Sequence, residues 1–100
     1  MSVRLSKDQS RERMRQLREL WREWDPVGVG DAPGSIDEYY GYAGESMRFL
    51  ETGAVNDLVE YLKWAVHEHM GLSHVPDPSF EEFAKRMHHW FSESWAGTHA

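Results

Sequence analysis

The sequence predicts an all-α fold, a single antiparallel bundle of about four helices with one long Gly/Pro loop between the first two. Three observations carry this prediction. Apolar residues recur throughout at the helical period of about 3.6, and no segment alternates as a half-buried strand does. Helix starts are marked by Ser6 with Gln9, by Ser35 with Glu38, and by Asp77 with Pro78. Helix stops are marked by Asp25-Pro26, Gly53 and Gly71. One hundred residues, 40% of them hydrophobic, fill one core and leave no room for a second. Residues 1–100 therefore form one domain, with 1–5 and 96–100 expected as frayed tails.

The first helix is predicted over Lys7 to Trp24, with Met14, Leu17, Leu20, Trp21 and Trp24 on its apolar face. Trp21 and Trp24 are one turn apart, and Trp24 is expected to be buried as a lid on the core. Arg11, Arg15, Arg18 and Arg22 form a stripe elsewhere on this helix. Such a stripe can follow a nucleic-acid backbone, but Glu12, Glu19 and Glu23 lie one turn away and suit a solvated, self-paired face. Asp25-Pro26 ends the helix, and Gly28, Gly30, Pro33 and Gly34 keep the following stretch irregular.

The second helix is predicted from about Ile36 to Glu51. Ile36, Tyr40, Ala43, Met47 and Leu50 form its core stripe, while Tyr42 and Phe49 point away from that stripe. The third runs from about Val55 to Met70, with Val55, Leu58, Val59, Leu62, Ala65, Val66 and Met70 inward. His69 falls at the edge of that apolar side, as a hydrogen-bonded core histidine. Trp64 falls on the far side, near Asp57, Glu60 and Glu68. The fourth begins with Asp77 as N-cap and Pro78 at the first helical position, and runs to about Ser94. Its face of Phe80, Phe83, Ala84, Met87, Trp90, Phe91 and Trp95 is the most aromatic in the chain.

Charge is uneven along the chain. Residues 1–24 hold seven Arg or Lys against four Asp or Glu, net +3; residues 25–100 hold four against thirteen, net −9. The overall charge of −6 argues against nucleic acid and suits a basic protein partner. Cysteine is absent, which removes disulfide and thiolate chemistry and fits a reducing cytoplasm. No apolar run suits a secretory leader or a membrane span. The aromatic surplus leaves a homodimer open.

Patterns for catalysis and metal binding are missing. His67-x-His69 and the adjacent His88-His89 do not share helix faces, and H-E-x-x-H and cysteine pairs are absent, which argues against zinc. Adjacent acids at Asp37-Glu38 and Glu81-Glu82 are what helix dipoles favour at N-termini. No serine has a convincing base, and no phosphate-binding glycine pattern is present. No cofactor and no enzyme activity are expected.

Three short motifs in order carry a family resemblance: Trp24-Asp25-Pro26 with Gly28, Asp37-Glu38-Tyr39 with Tyr42, and Met70-Gly71-Leu72 closing a helix. Over residues 20–72 the chain resembles the YugE-like proteins, small bacterial all-helical proteins of unknown function. The family's tyrosine motif commonly continues with an acid where this chain has Tyr40. The resemblance implies a compact helical fold and a cytoplasmic bacterial protein, and it supplies no catalytic residue.

Two functional expectations follow. The first is a non-catalytic interaction protein, of the kind an immunity-like inhibitor represents. It would grip a basic partner through Trp64, Asp57, Glu60 and Glu68. The second is a small-ligand binder or cryptic enzyme, built from the loop 25–35 with Tyr39, Tyr42 and His69. A flat acidic face fits the first, and a concave site ringed by these side chains fits the second.

Overall fold

The computed structural model describes residues 3–24, 40–73 and 75–99. It is an all-α bundle. Helix α1 spans Lys7–Trp24, α2 Tyr40–Thr52, α3 Val55–Lys63 and α4 Asp77–Ser94. From α3 the chain continues directly as a π-helix over Trp64–His69. Helix α1 packs on α2, α2 on α3, and α3 on α4. The loop 25–35, the Ser35–Glu38 pair, Ile36 and Tyr39 lie outside the described residues.

The helix ends follow local chemistry. Ser6 and Gln9 form the expected reciprocal cap: the Ser6 amide donates to Gln9 Oε1 at 2.9 Å, and the Gln9 amide donates to Ser6 Oγ at 3.2 Å. At the end of α2, Gly53 takes φ 73°. The Ala54 amide then reaches the Phe49 carbonyl at 3.0 Å, and the Gly53 amide reaches that of Leu50 at 3.3 Å. This pair of bonds is a Schellman motif, and the left-handed φ explains why glycine stands there. Gly71 ends the π-helix in the same conformation.

Two helix details differ from expectation. Asp77 is the first residue of α4 and not its cap; Pro76 holds the cap position, and no side chain caps this end. Proline's fixed φ presets the entry, and the Ser79 amide bonds the Pro76 carbonyl at 3.0 Å. The second difference is the π-helix. The Met70 amide bonds the Ala65 carbonyl, five residues back, at 2.8 Å. A π-turn absorbs one extra residue, so side chains beyond it rotate by about 100° relative to a continued α-helix. His69 thereby leaves the apolar side and becomes exposed.

One contiguous cluster forms the core. Leu17 and Trp21 of α1, Ala43, Met47 and Leu50 of α2, Leu58 and Leu62 of α3, Val66 of the π-helix and Phe80, Phe83, Met87 and Phe91 of α4 are all buried in it. Trp21, with no exposed surface, is its largest side chain. Trp24, expected as the buried lid, is half-buried and lies flat against Phe83 with ring centroids 4.3 Å apart.

A buried arginine joins distant parts of the chain. Arg13 is 1% exposed. Its guanidinium pairs with Glu51 at 3.2 Å, donates to the Thr98 carbonyl and hydroxyl at 3.3 and 3.2 Å, and lies 5.8 Å from the centroid of Phe91. Thr98 belongs to a short strand, β2 (Thr98–His99), which pairs in parallel with β1 (Val3–Arg4). Parts of residues 1–5 and 96–100, the stretches expected as frayed tails, are therefore paired with each other. Periodicity gives no hint of strands only two residues long. The outward arginines pair with their own helix: Arg11 with Asp8 at 3.9 Å, Arg15 with Glu12 at 2.6 Å, and Arg22 with Glu19 at 3.6 Å.

Candidate functional site

The first turns of α2 turn Gly41, Tyr42 and Glu45 outward from the core stripe. On the neighbouring helix, Tyr61 and Trp64 stand three residues apart on the side away from the core, and the π-helix swings His69 round to join them. These six residues line a cleft of about 500 Å³. Trp64 is 50% exposed and lies loosely over the His69 imidazole, with centroids 5.4 Å apart and planes 29° apart. Tyr61 continues the row at 5.9 Å from Trp64, and Phe49 lies 5.5 Å behind Tyr61.

The cleft is anchored to the core through Tyr42. One side of its ring stacks on Trp21 at 5.7 Å and 25°, while the edge of His69 meets it at 5.5 Å. The Tyr42 hydroxyl and His69 Nδ1 share a short hydrogen bond. With the imidazole neutral, Tyr42 donates to Nδ1 and the remaining imidazole hydrogen sits on Nε2. Ser46, fully buried one turn below, receives the Trp21 indole hydrogen at 3.2 Å and donates to the Tyr42 carbonyl at 2.7 Å. Tyr42 is thus fixed by ring stacking and by its own helix.

The electrostatics of the cleft are set by Glu45. The Tyr61 phenol is pushed up to about 12, first by burial and then by the negative charge of Glu45, with Tyr42 adding to it. Tyr61 therefore stays neutral well above its ordinary range. Glu45 has a loose, exposed partner in Arg48 at 3.9 Å.

The indole hydrogens separate the five tryptophans. Trp21 donates to Ser46, and Trp24 donates to Ser79 Oγ at 3.0 Å. Trp90 and Trp95 both donate to Gln16 Oε1, each at 3.0 Å. Among the described residues nothing accepts the Trp64 indole hydrogen. Buried Tyr and Trp usually find a partner for their polar tip, and half-exposed Trp64 has none among the described residues.

The residues singled out from sequence are divided differently here. Trp64 joins Tyr42 and His69, which had been set apart as an alternative site. Asp57 and Glu60 line another groove, of about 450 Å³, with Lys63, Glu81 and Lys85. Lys63 reaches Glu60 at 3.9 Å. Glu68 is exposed and borders neither cavity among the described residues. Tyr39 and the loop 25–35 lie outside the described residues. His69 is an exposed cleft residue and not the core histidine expected. His67, two residues earlier, turns the other way and meets Phe80 edge-on at 5.1 Å.

Gly41, Glu45 and Tyr61 were missed. Their signal was present: Tyr42 with Glu45 and Tyr61 with Trp64 are each three residues apart on faces turned from the core stripe. Pairing those two off-core faces finds the cleft.

Among the described residues no group of three or more His, Asp or Glu side chains is placed to hold a metal ion. No described helix is long and apolar enough to cross a membrane. No protein-family model, no curated protein and no solved structure matches this chain.

Proposed function

We propose that this protein is a non-catalytic binding protein whose ligand is a small organic molecule seated against Tyr42, Tyr61, Trp64 and His69. The observation that carries this reading is Trp64. It is the one tryptophan both half exposed and without an indole partner among the described residues, and it stands in a concave site. The volume of about 500 Å³ falls within the common range for small-molecule sites, roughly 300–1,000 Å³. Two aromatic side chains held by stacking supply contact area without much loss of rotamer freedom on binding.

A basic protein partner on the acidic side of α3 is the weaker reading. Asp57, Glu60 and Glu81 share their groove with Lys63 and Lys85, so the field presented there is largely cancelled. Membership of the YugE-like proteins and a cytoplasmic location are proposed on the sequence motifs and the absence of cysteine alone.

The test is a fragment screen read by proton–nitrogen correlation spectra. Ligands are expected to move the Trp64 indole and Gly41 amide signals saturably, and Trp64→Ala is expected to abolish those shifts while the fold is kept. Fragments that move only signals around Asp57, Lys63 and Lys85 would transfer the site to the other groove.

A further inference from the structure

Resting on the cleft as binding site, we propose that its ligand carries an alkylated ammonium group, a tertiary or quaternary organic cation of small-molecule size. Glu45 carries the only fixed formal charge among the described lining residues, and that charge is negative. No lysine or arginine is among the described lining residues, so an anionic ligand would find no fixed counter-charge from them. The remaining surface is aromatic, and the faces of tryptophan and tyrosine attract cations through their ring quadrupole.

The sign of the field is visible on a neighbouring group. Burial first, and then the negative charge on Glu45, push the Tyr61 phenol up to about 12. The part of that shift due to Glu45 is a potential that favours a positive charge in the same space. Arg48 does not cancel this field. Its contact with Glu45 is 3.9 Å long, the two side chains are 77% and 50% exposed, and exposed pairs of this kind contribute little.

The choice of an alkylated over a bare ammonium follows from desolvation. A primary ammonium is compact and strongly hydrated, and an aromatic cleft with few acceptors returns little of that hydration. Methyl or larger alkyl groups spread the charge, weaken hydration and add apolar area for the rings. The cleft has room for such a group together with the molecule that bears it.

The test compares choline with its neutral carbon isostere, in which a tert-butyl group replaces the trimethylammonium. Titrations are followed at the Trp64 indole and Gly41 amide signals. Choline is expected to bind saturably, with the isostere at least about tenfold weaker. Glu45→Gln should weaken choline by about tenfold and leave the isostere unchanged. Trp64→Ala should abolish both, with an unchanged melting curve showing the fold intact. Equal binding of the two probes, or fragment binding in the cleft without any choline shift, overturns the cation while leaving the cleft standing. Choline binding that ignores both Trp64→Ala and Glu45→Gln overturns the inference and the cleft together.

Discussion

Two aromatic clusters in this fold are built from similar rings at similar spacings, and they differ in what covers them. Trp21, Trp24, Phe80 and Phe83 meet at centroid distances of 4.3–5.8 Å where α4 closes over α1. Tyr42, Tyr61, Trp64 and His69 meet at 5.4–5.9 Å on the outer side of α2 and α3. In the first cluster Trp21 and Phe80 are wholly buried and both indole hydrogens have serine acceptors. In the second, Trp64 stays half exposed. Ring density alone therefore does not mark a site. Uncovered ring area, an open polar tip and an adjoining cavity are what set the second cluster apart, and Trp21 against Tyr42 is the seam between the two clusters.

The largest expected effect separates the clusters by stability. Trp21→Ala should cost about 3–5 kcal/mol, through lost packing and the lost indole hydrogen bond to Ser46. Trp64→Ala should cost less than about 1 kcal/mol, since its ring is already half in water. Chemical denaturation of both variants checks this, and equal losses would erase the distinction between core and cleft.

Alkaline titration sharpens it. The folded-state value of the Tyr61 phenol, about 12, lies above the ordinary 10.0. The unfolded chain gives up this proton first, so the contribution of Tyr61 is complete below about pH 10 and is lost as pH rises towards 12. Phenolate absorbance should show a late component that Tyr61→Phe removes. A Tyr61 that ionised with the free phenols would mean that the cleft is wetter, or Glu45 farther off, than described.

The smallest effect is a gain. Gly41 lines the cleft, and a Cβ added there meets nothing within 4 Å. Gly41→Ala should stabilise α2 by about 0.5 kcal/mol through helix propensity, while placing a methyl group at the cleft wall. A small rise in melting temperature with weaker ligand binding is the expected pair of results.

Much of the fold was legible because periodicity and caps report on local backbone. The bounds of α1, the Ser6–Gln9 cap, the glycine stop at Gly53 and, among the described residues, the inward faces of the helices could be read this way. What could not be read depended on contacts remote in sequence or on a departure from the α period. Arg13 lies four residues before Leu17 and eight before Trp21, on the core face, yet a charged residue there reads as solvent-facing until Glu51 and Thr98 are brought to it. The π-helix is equally silent in sequence, and it turns His69 from an expected core position into a cleft residue. Asp77 has the composition of an N-cap, but the backbone places Pro76 in that role. Trp64 was correctly singled out as exposed. Its cleft neighbours on α2 were not legible, because an arc on one helix contains no information about which second helix faces it.

The central claim is that Trp64, unlike the other four tryptophans, is set for contact with a ligand. Indole hydrogen exchange tests it most directly, in a proton–nitrogen correlation spectrum assigned through Trp64→Phe. Four indole signals should be protected by Ser46, Ser79 and Gln16, while the fifth, lost in Trp64→Phe, exchanges fast. A Trp64 indole as protected as the others would mean that the protein itself already satisfies it, and would contradict the account.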